Sequence, residues 1–190
     1  KNVNLEEAVI LNLNEEDFKT TYQSNCDFVW MEDFEDPSIS IDSLSPSDVN
    51  ILRTNPANSP EAFVSANSAY SGVITLTSEK NYFRLSTNVG LDEGFDLPRG
   101  NNPIFLEINY KCDAVFRVGV FSKYYNTVET NPLVNFNPTQ EWNKIYVNLK
   151  PIVNASVNAL YFNVFFEGFA SEELEETNIY LDNIKLIHYK

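Results

Sequence analysis

Four carboxylates fall within five residues in the stretch EDFED (32–36), and a fifth, Asp182, sits inside NIYLDNIKLIHYK (178–190). Paired carboxylates do two kinds of chemistry. They hydrolyse glycosides when two acids flank the scissile bond, and they hold hard divalent cations through oxygen. The acids of EDFED do not alternate on one face, which argues against a glycosidase pair. Asp182 raises a different question. Strand alternation puts it on one face with Tyr180, Ile184 and Leu186. A carboxylate among core-like residues must be paired, hydrogen-bonded or bound to a metal, because a lone buried charge is very costly.

The other reactive side chains narrow the chemistry further. His188 is the single histidine. It excludes multi-histidine zinc sites, and any Cys–His pair has to use it. Cys26 and Cys112 fit no C-x-x-C metal spacing. Two readings stay open for them: a disulfide, or two small inert side chains. No Gly-x-Ser-x-Gly elbow and no phosphate loop occurs. The chain is therefore not read as an enzyme.

The elements that position these residues read as strands. GVITLTS (72–78), YFRLST (82–87), PIFLEINYK (103–111), AVFRVGVFS (114–122), WNKIYVNLK (142–150), ALYFNVFFEG (159–168) and NIYLDNIKLIHYK (178–190) carry period-two patterns, and DFVWMEDFE (27–35) precedes them. Cys112–Asp113 reads as a tight hairpin connection between two of them. Segments 36–61, 90–102 and 123–141 read as long connections, the first with a short strand near Val49–Leu52. Many alternating strands with almost no helical period predict an all-β fold. The expected architecture is an antiparallel two-sheet β-sandwich, since sheet edges must be managed. Residues 27–190 form one domain on this reading. Residues 1–26 are an N-terminal extension whose pattern suits a helix or a strand.

Composition sets the partners. The 190 residues are 43% hydrophobic and 14% aromatic, enough for a large core, and the formal net charge is −14. That balance argues against nucleic acid and anionic membranes, which need cationic patches. No run reaches the length of a membrane span. Trp30 and Trp142 read as packing residues.

The second faces of the central strands form a candidate binding surface if those strands are sheet neighbours. They carry Glu107, Asn109, Arg117, Lys144, Tyr146, Asn148, Tyr161, Asn163 and Glu167. An aromatic ring stacks on a pyranose while amide, carboxylate and guanidinium groups bond hydroxyl pairs. The alternative is an ordinary polar sheet surface. A loop mode would use Tyr124, Tyr125, Phe95 and Arg99.

Three stretches together resemble the galactose-binding-domain-like jelly-roll modules, common as carbohydrate-binding modules and in surface lipoproteins of Bacteroidetes. EDFEDP (32–37) is similar to the family's opening Phe-Glu strand. AYSGVITL (69–76) resembles its Ser-Gly segment, and EWNKIYVNLKPI (141–152) with NIYLDNIKLI (178–187) resembles its Trp strand and terminal Asp strand. The resemblance covers about residues 27–190. It implies a jelly roll with a structural calcium ion (Ca2+) between first and last strands, held by Glu35 and Asp182; Glu32 and Asp33 are alternative ligands. Without a metal, Asp182 would cap a turn or pair with a cation. The resemblance further implies a non-catalytic, monomeric glycan-binding module, exported to the periplasm or cell surface behind an upstream lipid anchor. The alternative is a structural or adhesive module whose partner is a protein. The Glu-x-Asp-x-x-Glu pattern of laminarinase-like jelly rolls is absent. So are two of the three strand motifs of alginate-lyase-like sandwiches.

Overall fold

The computed structural model describes residues 26–45, 49–54, 69–87 and 94–189. The extension expected at 1–26 lies outside them apart from Cys26. The described residues form eleven strands: β1 (Cys26–Glu32), β2 (Ile41–Ser43), β3 (Leu52–Thr54), β4 (Ser71–Thr77), β5 (Tyr82–Thr87), β6 (Ile104–Cys112), β7 (Phe116–Lys123), β8 (Val128–Phe136), β9 (Thr139–Asn148), β10 (Tyr161–Phe169) and β11 (Glu176–Tyr189). One short helix, α1 (Lys150–Ala155), follows β9 and buries Val153.

The strands make two antiparallel sheets. The first has the order β3-β4-β11-β6-β9, with β1 also on β11; the second has the order β2-β5-β10-β7-β8. The fold is thus the expected all-β two-sheet sandwich, and its first and last described strands pair directly, Glu32 opposite Ile184. Most of the alternating residues expected inside are inside; Leu160, expected to share the inner face with Phe162, Val164 and Phe166, is exposed instead, because it precedes the first residue of β10. Ile104, Leu106 and Ile108 of β6 face Phe116, Val118 and Val120 of β7 and Phe162, Val164 and Phe166 of β10 in one core cluster. Phe116 and Phe136 stack at 4.6 Å within it. Each such Phe contributes roughly 1.5–3 kcal/mol by leaving water.

Three expectations are corrected. The 113–115 connection is not a hairpin, because β6 and β7 lie in different sheets and the short turn carries the chain across the sandwich. Segment 123–141 is not a long loop but holds β8, a full edge strand on β7. Its interior Pro132 and mixed pattern hide it, and an edge strand tolerates both. The disulfide reading also falls. Cys26 pairs with Tyr189 and Cys112 with Ile179, at opposite ends of β11. Positions 179 and 189 are about 33 Å apart along a strand, far beyond disulfide reach. Cys112 is a free, buried cysteine whose thiol is pushed up to about 11 by burial.

Candidate functional site

The acids of EDFED turn out to be a scaffold of turns. Buried Glu32 accepts the amides of Phe34 (2.9 Å) and Ser40 (2.6 Å). This braces Phe34, whose φ of 58° is costly for a bulky residue. Asp33 accepts the Glu35 amide, and Asp36 the amide and hydroxyl of Ser38. Those two bonds hold the Asp36 carboxyl below its ordinary value. Glu35 accepts the amides of Ala69 (2.7 Å) and Tyr70 (3.0 Å). Short polar side chains with backbone amides beside them make such turns.

Asp182 is explained by a bulge. It sits opposite Asn109, whereas Lys185 sits opposite Glu107, so one extra residue is inserted in β11. Asn183 takes φ = 46° there, a conformation Asn tolerates better than most residues. The insertion resets the alternation. Tyr180 and Asp182 face outward with Lys111 and Asn109, while Ile184 and Leu186 point into the core. The expected sharing of one face by all four residues is corrected accordingly. Asp182 is fully buried, and its Oδ1 accepts the Asn183 amide at 2.7 Å.

The corner between the first and last strands already holds a cation. Arg53 donates to the carbonyls of Phe34 and Glu35, each at 2.5 Å, with its guanidinium 3.3 Å above the Tyr70 ring. A permanent cation thus occupies carbonyl oxygens of the loop that carries Glu35, and the Glu35 and Glu32 carboxylates hold amides. Among the described residues no group of three or more His, Cys, Asp or Glu could hold a metal. These residues as placed do not fit a calcium ion.

The candidate binding residues divide between the two sheets, so the condition that their strands be neighbours is not met. Glu107, Asn109, Lys144, Tyr146 and Asn148 lie on the outer face of the first sheet. Glu107 is buried, and Lys144 and Lys185 both approach its Oε1 at 3.3 Å. Burial raises the Tyr146 hydroxyl, as do the charge and hydrogen bond of Glu107. The Asn109 Oδ1 and Ser71 Oγ are buried without a hydrogen-bond partner, and Asn148 accepts the Lys150 amide.

Arg117, Tyr161, Asn163 and Glu167 lie on the outer face of the second sheet. A single row crosses it: Arg84 on β5, Glu167 on β10, Arg117 on β7 and Asn135 on β8. Glu167 is buried. Its Oε1 accepts the Arg117 Nε; its Oε2 accepts the Arg84 Nε (2.8 Å) and the Tyr82 hydroxyl (3.0 Å). Burial alone would raise the Glu167 carboxyl, but the Arg117 and Tyr82 bonds and the Arg84 charge hold it below its ordinary value. The same environment raises Tyr82, chiefly by burial and then by its bond to Glu167. Next along the strands, Phe165 stacks on Phe121 at 4.6 Å and lies across Gly119, where any side chain would strike its ring. Asn163 bonds the Thr87 carbonyl through Nδ2, and its buried Oδ1 has no partner. At one end of the face Phe169 is exposed and packs 4.8 Å from Tyr82.

At the other end the β7–β8 turn forms an open recess of about 400 Å³, lined by Tyr124, Tyr125 and Tyr161 among others. Tyr125 is 88% exposed, and Tyr124 donates to Glu129. The remaining loop candidates do not join it. Phe95 is buried and pairs with Phe162, and Arg99 ties Ser156 and Ala159 carbonyls together. Tyr82, Arg84 and Phe169 join the face from outside the sequence candidates, although the alternation of YFRLST sends Tyr82 and Arg84 to one side.

No protein-family model matches the chain, and no curated protein does. Solved structures of the same fold exist. The N-terminal CBM22-1–CBM22-2 tandem domain of Xyn10C from Paenibacillus barcinonensis is 13% identical with a TM-score of 0.56, covering 86% of this chain and 50% of that one. The K2 cleaved adhesin domain of Lys-gingipain is 10% identical with a TM-score of 0.54, over 83% and 96%. A xylan-binding domain of carbohydrate-binding-module family 22 is 12% identical with a TM-score of 0.53, over 84% and 93%. What they define is the fold class, an antiparallel two-sheet β-sandwich shared with carbohydrate-binding modules and with an adhesin domain. At these identities the likeness is one of fold.

Proposed function

We propose that the chain is a non-catalytic carbohydrate-binding module and that its ligand lies along the outer face of the second sheet. The observation that carries this reading is the row Arg84–Glu167–Arg117 set beside exposed Phe169 and the half-buried Tyr82 against which it packs. Glu167 holds both guanidiniums in place, and their side chains remain 31% and 45% exposed. Fixed hydrogen-bond donors next to an aromatic surface are what a sugar ring needs. The recess at Tyr125 and Tyr161 extends the face along β10. An exported, surface-exposed setting belongs to the same proposal.

Affinity electrophoresis through gels containing neutral and acidic polysaccharides tests it. The wild type should be retarded by at least one glycan, and Phe169→Ala should weaken that binding about tenfold. Tyr146→Ala, on the opposite face, should leave it unchanged. If no glycan retards the wild type, the reading fails and a protein-adhesive module takes its place.

A further inference from the structure

We infer that the ligand of the second sheet's outer face is an acidic glycan whose uronate carboxylates are bound by Arg84 and Arg117. The inference rests on the glycan-binding reading above and names the substrate class.

A neutral sugar presents hydroxyls, and each hydroxyl both donates and accepts. A site for hydroxyls therefore mixes donors with acceptors. The Arg84–Glu167–Arg117 row does not. Glu167 already accepts three bonds, from Arg117, Arg84 and Tyr82, and Tyr82 directs its hydroxyl into that cluster. Guanidinium groups have no acceptor at all. What Arg84 and Arg117 turn outward is donors only, and the row's one mixed group, Asn135, lies beyond Arg117 at the sheet edge. The complementary group is one that only accepts, and the planar guanidinium fork matches a carboxylate in geometry as well as charge.

The way the arginines are held supports this. Each gives Glu167 its Nε, one of five N–H groups. Among the described residues no other carboxylate lies within ion-pair distance of either guanidinium. Their strands flank β10 on either side, so they stand two strand spacings apart, about 10 Å. That spacing suits two acidic units of one chain, or one acidic unit with its neighbour on Phe169.

The charge of the face differs from that of the molecule. The charged side chains directed outward from β2, β5, β7 and β10 are Arg84, Arg117 and Lys123 against Asp42 and Glu167, three positive and two negative. The whole chain carries −14. At physiological salt a charge is screened over about 8 Å, so the distant acids act weakly while the guanidiniums act at contact.

The experiment uses polygalacturonate, alginate and hyaluronate, each beside its carboxyl-reduced neutral form, at 0.15 M NaCl. The wild type should bind at least one acidic form about tenfold more tightly than its reduced partner. Arg117→Gln should abolish that preference. Arg117→Lys, which keeps the charge and loses the fork, should weaken it severalfold, and Lys144→Gln on the other sheet should not change it. Thermal unfolding of each variant checks that the fold is intact. Equal binding of acidic and reduced forms overturns the inference. So does an undiminished preference in a folded Arg117→Gln. Binding confined to neutral glucans or xylans overturns it too, while the glycan-binding reading stands. If nothing is bound at all, that reading falls and takes the inference with it.

Discussion

Each outer face of the sandwich carries a buried glutamate flanked by two cations and a tyrosine, yet the two clusters behave differently. On the first sheet Glu107 meets Lys144, Lys185 and Tyr146. On the second Glu167 meets Arg84, Arg117 and Tyr82. The two lysines converge on one oxygen, Oε1. A lysine is a flexible point charge, so neither ammonium is held in a fixed orientation by that contact. The two arginines take separate oxygens through Nε, and their rigid planes leave the other N–H groups directed elsewhere. The same net charge is therefore held through one shared oxygen by flexible lysines and through two separate oxygens by arginines, whose remaining N–H groups keep a fixed planar geometry.

The comparison is most severely tested by removing the glutamates. Glu167→Ala leaves two guanidiniums on one carboxylate's site without compensation, and it should lower stability by about 3 kcal/mol. Glu107→Ala should cost only about 1 kcal/mol, because flexible ammonium groups swing into water. Urea denaturation of both variants measures the difference. Equal losses would mean that the arginine cluster is held no more firmly than the lysine one.

A smaller effect is expected from acid. Glu167 is held below its ordinary value of 4.5, so its stabilisation is full above that value and is lost as pH falls through the lower, folded one. Unfolding midpoints of the wild type and Glu167→Gln should converge below about pH 4 and separate above it. A constant gap from pH 3 to 7 would place the carboxylate's contribution outside its charge.

The smallest effect concerns the corner where Arg53 bonds the Phe34 and Glu35 carbonyls. If a fixed guanidinium serves here as another serves at Glu167, chelation with EDTA should shift the thermal midpoint by less than about 1 °C. Arg53→Ala should lower it by several degrees, since charge-assisted bonds to two carbonyls are lost. A large chelator effect, confirmed by metal analysis, would restore the calcium that the family resemblance implies.

Much of this architecture could be read from residue order. Ile104, Leu106 and Ile108, or Phe162, Val164 and Phe166, alternate with neighbours that include Glu107, Asn109, Asn163 and Glu167, and so define their strands. β8 could not be read, because VETNPLVNF is an edge strand with few buried positions and its pairing comes from backbone bonds to β7. The Asp182 face was misjudged for a related reason. A bulge changes the parity of a strand by one, and LDNI carries only Asn183 as a hint of it. The candidate face was half legible. Arg117, Tyr161, Asn163 and Glu167 do share a surface, but alternation cannot separate them from Glu107, Asn109, Lys144, Tyr146 and Asn148, which lie across the core.

Alternation within each segment is a local property, so side-chain chemistry alone established most of the strands and most of their buried faces, β8 and the bulged part of β11 excepted, and hence a two-layer β protein. Which strands became neighbours was settled by long-range backbone hydrogen bonding, which is nearly indifferent to residue type. Two- and three-residue turns can close a hairpin or cross between layers, and only the packed molecule distinguishes them. That choice set Arg84 and Arg117 on either side of Glu167, and with them the surface on which a ligand would rest.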